Sequence, residues 1–334
     1  MTPDDIKTMR SAEAPVSTRP LVRLAMAEYD RTRPLIDGRV KPAEFDLTVA
    51  NPEIGEFCRR PVYEEFDVAE MSLSMYVAAR VRGEKVIALP IFPLRMAVLG
   101  YIFCRADAPY RHPSELIGKR VASIGYRYTV NLWLRGMLKD HYGLAPEQLK
   151  WVTGEREGAG YVVPPGIDVT IVRDRSPGEL LLAGEVDFIL GPEAPDEFHN
   201  GDPRIRRLFP DAQAETRSYF QKTGILPITH TVVMGEATYR QKPWITAPMV
   251  EAFRAAQRSI DTLYHANPKH VSFADGVFFL EEERRVYGKE PYEHGLGPKN
   301  RNVIDTFVRY AHEQGYITRR PTVEELFADN THGL

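Results

Sequence analysis

Short apolar runs alternate with stretches of helical periodicity along most of this chain, and that alternation leaves few folds open. Leu21 to Ala27, Phe45 to Val49, Phe66 to Ala69, Val86 to Phe92 and Val98 to Cys104 read as strands. Asn51-Pro52-Glu53 looks like a helix start, and Ser72 is placed to cap a helix that runs to Val81 and closes at Gly83. A second series comes next. His112 to Leu116 gives a short helix, Lys119 to Gly125 a strand, and Tyr128 to His141 a helix ended by Gly143. Trp151-Val152, Val169 to Val172 and Val186 to Leu190 are further strands, and Ser176-Pro177 opens a helix that reaches Leu182. Strands joined by crossover helices imply parallel sheets with helices on their faces. Ile228 to Met234 then reads as a strand returning to the first series. The chain beyond Met234 is mostly helical, with Val250, Phe253, Ile260 and Leu263 forming one stripe of a helix over 248–264, and another helix from Val303 to His312.

The expected architecture is therefore α/β and two-lobed, with a cleft between the lobes. One lobe comprises residues 20–105 and 230–334, the other 106–229. Residues 1–19 are too polar to pack and read as a tail. The 334 residues fit the usual prior of ~150 per domain. Lys and Arg number 43 against 46 Asp and Glu, for a net charge of -3, so the chain has no basic field for nucleic acid. No apolar run approaches the ~20 residues of a membrane span. The N-terminus lacks the apolar core of a secretory signal. The two cysteines, Cys58 and Cys104, form no CxxC pair, which fits a reducing compartment and gives no structural zinc site. A cytoplasmic location is expected.

The loop after the first strand is the most chemically loaded part of the sequence. Tyr29-Asp30-Arg31-Thr32-Arg33-Pro34-Leu35-Ile36-Asp37-Gly38 places two arginines at the carboxyl end of a strand, where open α/β sheets bind ligands. A guanidinium fork matches a carboxylate. A small anion held near Arg31 or Arg33 is one reading, and a solvated charged loop is the other.

That loop, extended through Arg39-Val40, also carries a resemblance. With Phe66-Asp67-Val68-Ala69-Glu70-Met71-Ser72-Leu73-Ser74-Met75-Tyr76 and Leu89-Pro90-Ile91-Phe92-Pro93-Leu94-Arg95, it is similar to the 4,5-dihydroxyphthalate decarboxylase family. Arg207-Leu208-Phe209-Pro210-Asp211, Lys222 to His230, Gly295-Leu296, Asn300-Arg301 and Tyr310 to Tyr316 extend the match over nearly everything after residue 20. The resemblance implies a type II periplasmic-binding-protein-like fold and a carboxy-lyase of aromatic catabolism. The implied partner is a small aromatic carboxylate, with further copies of the chain expected as well and no membrane. Two stretches depart from the family pattern. Ala97-Val98-Leu99 stands where Phe-Arg-His is common, and Ile124 to Thr129 stands where Pro-Glu-Tyr-Gln-Met-Thr is common. Both leave the ring substitution pattern of the substrate open.

Cofactor-free decarboxylation needs an oriented carboxylate, an electron-rich ring and a general acid for the ring carbon. His230, on the return strand, is the candidate acid, against a satisfied core histidine. Glu70 is the second catalytic candidate, to accept from a phenol or to bind a metal. Arg33 and Arg95 are candidates for substrate binding, unless each pairs with a carboxylate such as Asp30 or Glu70. Ser72 either binds an anion or only caps a helix, and Ser74 is a further candidate for substrate binding. Tyr126, Arg127 and Thr129 would present the second lobe's half of the site. Lys222 and His294 are weaker candidates. His265 and His270 read as surface residues, and Glu281-Glu282-Glu283 as a solvated helix face. No organic cofactor is expected; a divalent metal stays an open alternative, though no ligand spacing supports one. The alternative function is a non-catalytic binding protein for a small organic anion.

Overall fold

The computed structural model describes residues 18–58, 61–154, 163–266, 269 and 272–334. The 1–17 part of the expected tail and His270 lie outside the described residues. Arg19 is anchored rather than loose: its Nη1 donates to the carbonyls of Pro42 and Ala43 at 3.1 Å, and its guanidinium pairs with Asp46.

Among the described residues eleven strands form two sheets. In chain order they are β1 (Leu21–Ala25), β2 (Asp46–Ala50), β3 (Val68–Ser72), β4 (Val86–Leu89), β5 (Ile102–Arg105), β6 (Arg120–Ser123), β7 (Lys150–Thr153), β8 (Asp168–Ile171), β9 (Phe188–Leu190), β10 (Ile205–Arg207) and β11 (His230–Gly235). The first sheet has the order β2-β1-β3-β11-β4 and the second β10-β5-β9-β6-β7-β8. Every residue of β3 is buried, as is all of β11 except its last, because the centre of the sheet is covered on both faces.

Two sequence expectations need correction. The sequence reading puts Ile102–Arg105 in the first lobe, yet β5 pairs with β9 and β10 in the second sheet. The sheets are also not wholly parallel. β11 runs antiparallel to β3 and β4, and β5 antiparallel to β9. Both exceptions are the first strand after the chain changes lobes, where no crossover helix constrains direction.

The crossings themselves lie side by side. Arg95 and Ile228 form an antiparallel bridge, Thr229 N–H donates to Leu94 O (2.9 Å) and Met96 N–H to Pro227 O (3.0 Å). The helix Thr129–Tyr142, ended by Gly143 at φ 67°, belongs to the second lobe. The helix Pro298–Glu313 follows the return to the first lobe but packs across the boundary. Trp133 donates to Ile228 O (2.8 Å), and its ring lies 5.3 Å from Phe307 and 5.7 Å from Tyr310. Arg135 Nε donates to Gln314 Oε1 (2.7 Å), and Gln314 Nε2 to Leu132 O (2.9 Å). One hydrophobic cluster consequently runs from Ala25 through Trp133 to Phe327.

Candidate active site

Glu70 occupies the middle of β3 with a side chain that has no solvent exposure. A buried carboxylate must have its lone pairs filled, and three donors do so. Ala27 N–H reaches Oε2 at 2.8 Å, while the Tyr29 hydroxyl (2.6 Å) and His230 Nδ1 (2.5 Å) share Oε1. With the carboxylate as acceptor, the imidazole hydrogen sits on Nδ1. His230 Nε2 makes no hydrogen bond among the described residues. The sheet explains the pairing. β3 and β11 are antiparallel with His230 opposite Ser72 and Val232 opposite Glu70, so the acid and the imidazole meet as diagonal neighbours on one face.

Cross-strand from His230, three hydroxyl-bearing residues close the gap between the lobes. Ser72 Oγ lies 2.8 Å from Thr129 Oγ1, Ser74 N–H donates to Thr129 Oγ1 (3.1 Å), and the Ser74 and Thr129 hydroxyls are 2.9 Å apart. Ser74 Oγ also donates to Arg127 O at 3.3 Å. Ser72 precedes the helix Leu73–Val81, but its hydroxyl makes no capping bond and turns instead to the other lobe. Thr129 opens the helix Thr129–Tyr142. Two helix N-termini thus meet here, a setting that favours negative charge.

Several expected site residues are engaged by other partners. Arg33 has a side chain 55% exposed and ion-paired with Glu28, so the loop's charge is neutralised at the surface. Arg31 is bonded through Nε to Pro93 O (2.8 Å), and its guanidinium lies 4.5 Å from the rings of both Tyr29 and Tyr292. Arg95 is buried in the crossing, donating to Asn300 Oδ1 (2.6 Å) and Glu293 O (2.9 Å), and burial pulls its pKa down to about 10. Tyr126 is a core residue of the second lobe, with the Arg135 guanidinium 3.7 Å from its ring centre and the Trp151 ring 4.9 Å away. Lys222 is exposed at the end of the helix Ala212–Thr223. His265 is half-buried and borders a small cavity with Asp261 and Glu283. Glu283 is therefore not part of a solvated face, and burial raises its carboxyl above the usual range. Glu282 does pair at the surface, with Arg217 and Arg285. Among the described residues no group of three or more His, Cys, Asp or Glu is placed to hold a metal ion.

His294 is structural. Its Nδ1 accepts the Phe92 N–H at 3.1 Å. Burial, then the charges of Arg95, Arg31 and Arg254, push its pKa from 6.5 down to about 3. A base held neutral in the fold gains its proton only on unfolding, so its contribution is fully present above pH 6.5 and is lost as pH falls toward 3. The slope for one such group approaches about 1.4 kcal/mol per pH unit. His294→Asn keeps an acceptor without a titrating ring. Urea unfolding at pH 7 and pH 5 is expected to show a smaller acid loss of stability in the variant than in the wild type.

Two α/β lobes of this topology, linked by paired crossings, define the class of periplasmic-binding-protein-like folds. Solved structures agree. The aliphatic sulphonate binding protein SsuA of Escherichia coli superposes with a TM-score of 0.57 at 11% identity, covering 95% of this chain and all of that one. SsuA of Xanthomonas axonopodis pv. citri, bound to MOPS, gives 0.55 at 13% identity, covering 93% and 99%. No family model matches the chain. Curated relatives do. The 4,5-dihydroxyphthalate decarboxylase of Comamonas testosteroni is 31% identical over 315 residues, 91% of this chain and 95% of the relative. That of Pseudomonas putida is 30% identical over 208 residues, 59% of this chain and 80% of the relative. The chain belongs to the 4,5-dihydroxyphthalate decarboxylase family, a family of carboxy-lyases. No described helix is long and apolar enough to cross a membrane.

Proposed function

We propose that this protein removes CO2 from a hydroxylated, phthalate-like aromatic acid, with His230 as the general acid and Glu70 as its partner. The observation that carries this reading is the buried Glu70–His230 pair at 2.5 Å beside a hydroxyl-lined junction of two helix N-termini. A carrier needs only the anion site. An imidazole oriented by a buried carboxylate is the equipment of proton transfer.

The step is an electrophilic replacement. The ring carbon bearing the carboxylate takes a proton from His230 Nε2–H, using ring electrons enriched by a phenol. The carbon–carbon bond to the carboxylate then breaks, its electron pair restores the aromatic ring, and CO2 leaves. Solvent returns the proton to Nε2. Glu70 keeps the hydrogen on Nδ1 and opposes the imidazolium charge. A second carboxylate on the ring, which does not react, would exchange with the contacts among Ser72, Ser74 and Thr129. Incubation with a panel of hydroxylated benzene dicarboxylates, with CO2 and the ring product measured, tests this. Tight binding of such acids without CO2 from any of them would support the carrier reading instead.

Association of copies of this chain through the helix Gly276–Tyr287 is part of the same proposal. Phe273, Phe278 and Phe279 are 72%, 68% and 60% exposed, an apolar patch larger than a lone surface phenylalanine. Phe279 also lines a groove of about 780 Å³, together with Tyr101, Phe198 and Phe209. Exposed Glu281 and Arg284 have no ion pair among the described residues, and an antiparallel second copy would match their charges. Sedimentation is expected to show an assembly that Phe278→Glu dissociates. A wild type that sediments as one chain at micromolar concentration refutes the association.

A further inference from the structure

The geometry points to Tyr29 as a positioning residue for proton transfer, one that sets how tightly Glu70 grips the His230 ring hydrogen. This inference rests on the decarboxylase reading for its kinetic consequence, though not for its structural one. Tyr29 Oη and His230 Nδ1 donate to the same oxygen, Glu70 Oε1, at 2.6 and 2.5 Å. Two donors on one oxygen divide its electron density, so each weakens the other's bond. Ala27 N–H on Oε2 fixes the plane of the carboxylate, and neither donor can be replaced by a simple rotation of the group.

Tyr29 is itself held for this purpose. Its ring lies 4.5 Å from the Arg31 guanidinium, which lies at the same distance from the Tyr292 ring and is tied to Pro93 O. Thr32 Oγ1 accepts from Tyr29 N–H and donates to Tyr29 O, both at 3.2 Å. The arginine of the loop thus serves the tyrosine, and the tyrosine serves the carboxylate. Without the phenol, Glu70 would hold the Nδ1 hydrogen harder, the imidazolium would be a poorer acid, and protonation of the ring carbon would slow. Substrate binding, which does not use this oxygen, would change little.

The test compares Tyr29→Phe with a chain carrying 3-fluorotyrosine at position 29, whose phenol donates more strongly. The first readout is the His230 Nδ1–H signal in proton NMR of ¹⁵N-histidine-labelled protein without substrate. It is expected to move downfield in Tyr29→Phe and upfield in the fluorotyrosine protein. The second is kinetic: kcat of Tyr29→Phe falls roughly threefold to tenfold, the range of one hydrogen bond, at nearly constant KM. An Nδ1–H signal that stays put in both proteins overturns the inference, as does a kcat loss matched by a rise in KM with no change in the signal. Should Tyr29→Phe not fold, the fluorotyrosine protein alone decides through the direction of its shift. If the wild type releases no CO2 from any acid tested, the decarboxylase reading fails while the NMR comparison still decides the role of Tyr29.

Discussion

His230→Ala is expected to lower kcat by ~100-fold or more while leaving the dissociation constant of a bound aromatic acid within a few-fold of wild type. Proton delivery matters only as the ring carbon gains negative character, so losing the acid removes stabilisation of the transition state and not of the ground state. The buried side chain also fills space, and its removal strips one donor from Glu70. His230→Gln therefore accompanies it: this variant can keep a donor near Glu70 but has no titrating ring, and it is expected to be equally slow with a normal unfolding transition. Arg33→Ala serves as the control, because its exposed pairing with Glu28 contributes little. Steady-state kinetics with ligand titration on the three proteins settles the matter. Wild-type turnover by either His230 variant would move the acid to another group.

Gly136→Ala should be among the most destabilising single-methyl additions in the chain. A Cβ at this position would come within 2.3 Å of the Tyr310 ring. That ring cannot withdraw cheaply, since it is buried and packed edge-on against Trp133 at 5.7 Å. The helices Thr129–Tyr142 and Pro298–Glu313 would have to separate, loosening the Arg135–Gln314 bond with them. Overpacking of this kind costs about 1–3 kcal/mol, and a clash with a fixed ring lies at the upper end. Thermal unfolding should report a clear loss. A variant with an unchanged transition would mean that the two helices slide past each other freely.

The fold is legible in the sequence because the periodicities are strong. Ser176-Pro177 and Gly143 bound their helices where the sequence places them, the first through a reciprocal bond pair between Ser176 and Glu179. Strand direction at the crossings is not legible, since an apolar run such as Ile228 to Met234 reads the same in either sense. The proposed site residues divide along a physical line. Glu70, Ser72, Ser74, Thr129 and His230 lie in or at the ends of regular elements, and pattern fixes where such positions point. Arg33, Arg95 and Tyr126 are suggested by chemical type and by place near a strand end or in a matching segment, and neither fixes what a long side chain meets. A guanidinium suits a ligand carboxylate, a surface glutamate and a buried asparagine equally well, and only packing chooses. Tyr29 is hidden for the converse reason: two arginines beside it carry the obvious chemistry, and its bond to Glu70 spans 41 positions.

The insertion of β11 between β3 and β4 bears on how the molecule is made. On the ribosome the first lobe presents β1 to β4 early, but β3 and β4 have no direct pairing, and the strand that joins them arrives about 140 residues after β4. The second sheet, by contrast, takes all its strands from 102 to 207 in one uninterrupted stretch. The lobe that begins first is thus completed last, around a neighbour already able to form its own sheet. Glu70 and His230 lie on the two strands whose meeting ends that wait, so the proposed proton-transfer pair assembles in the same event that seals the sheet.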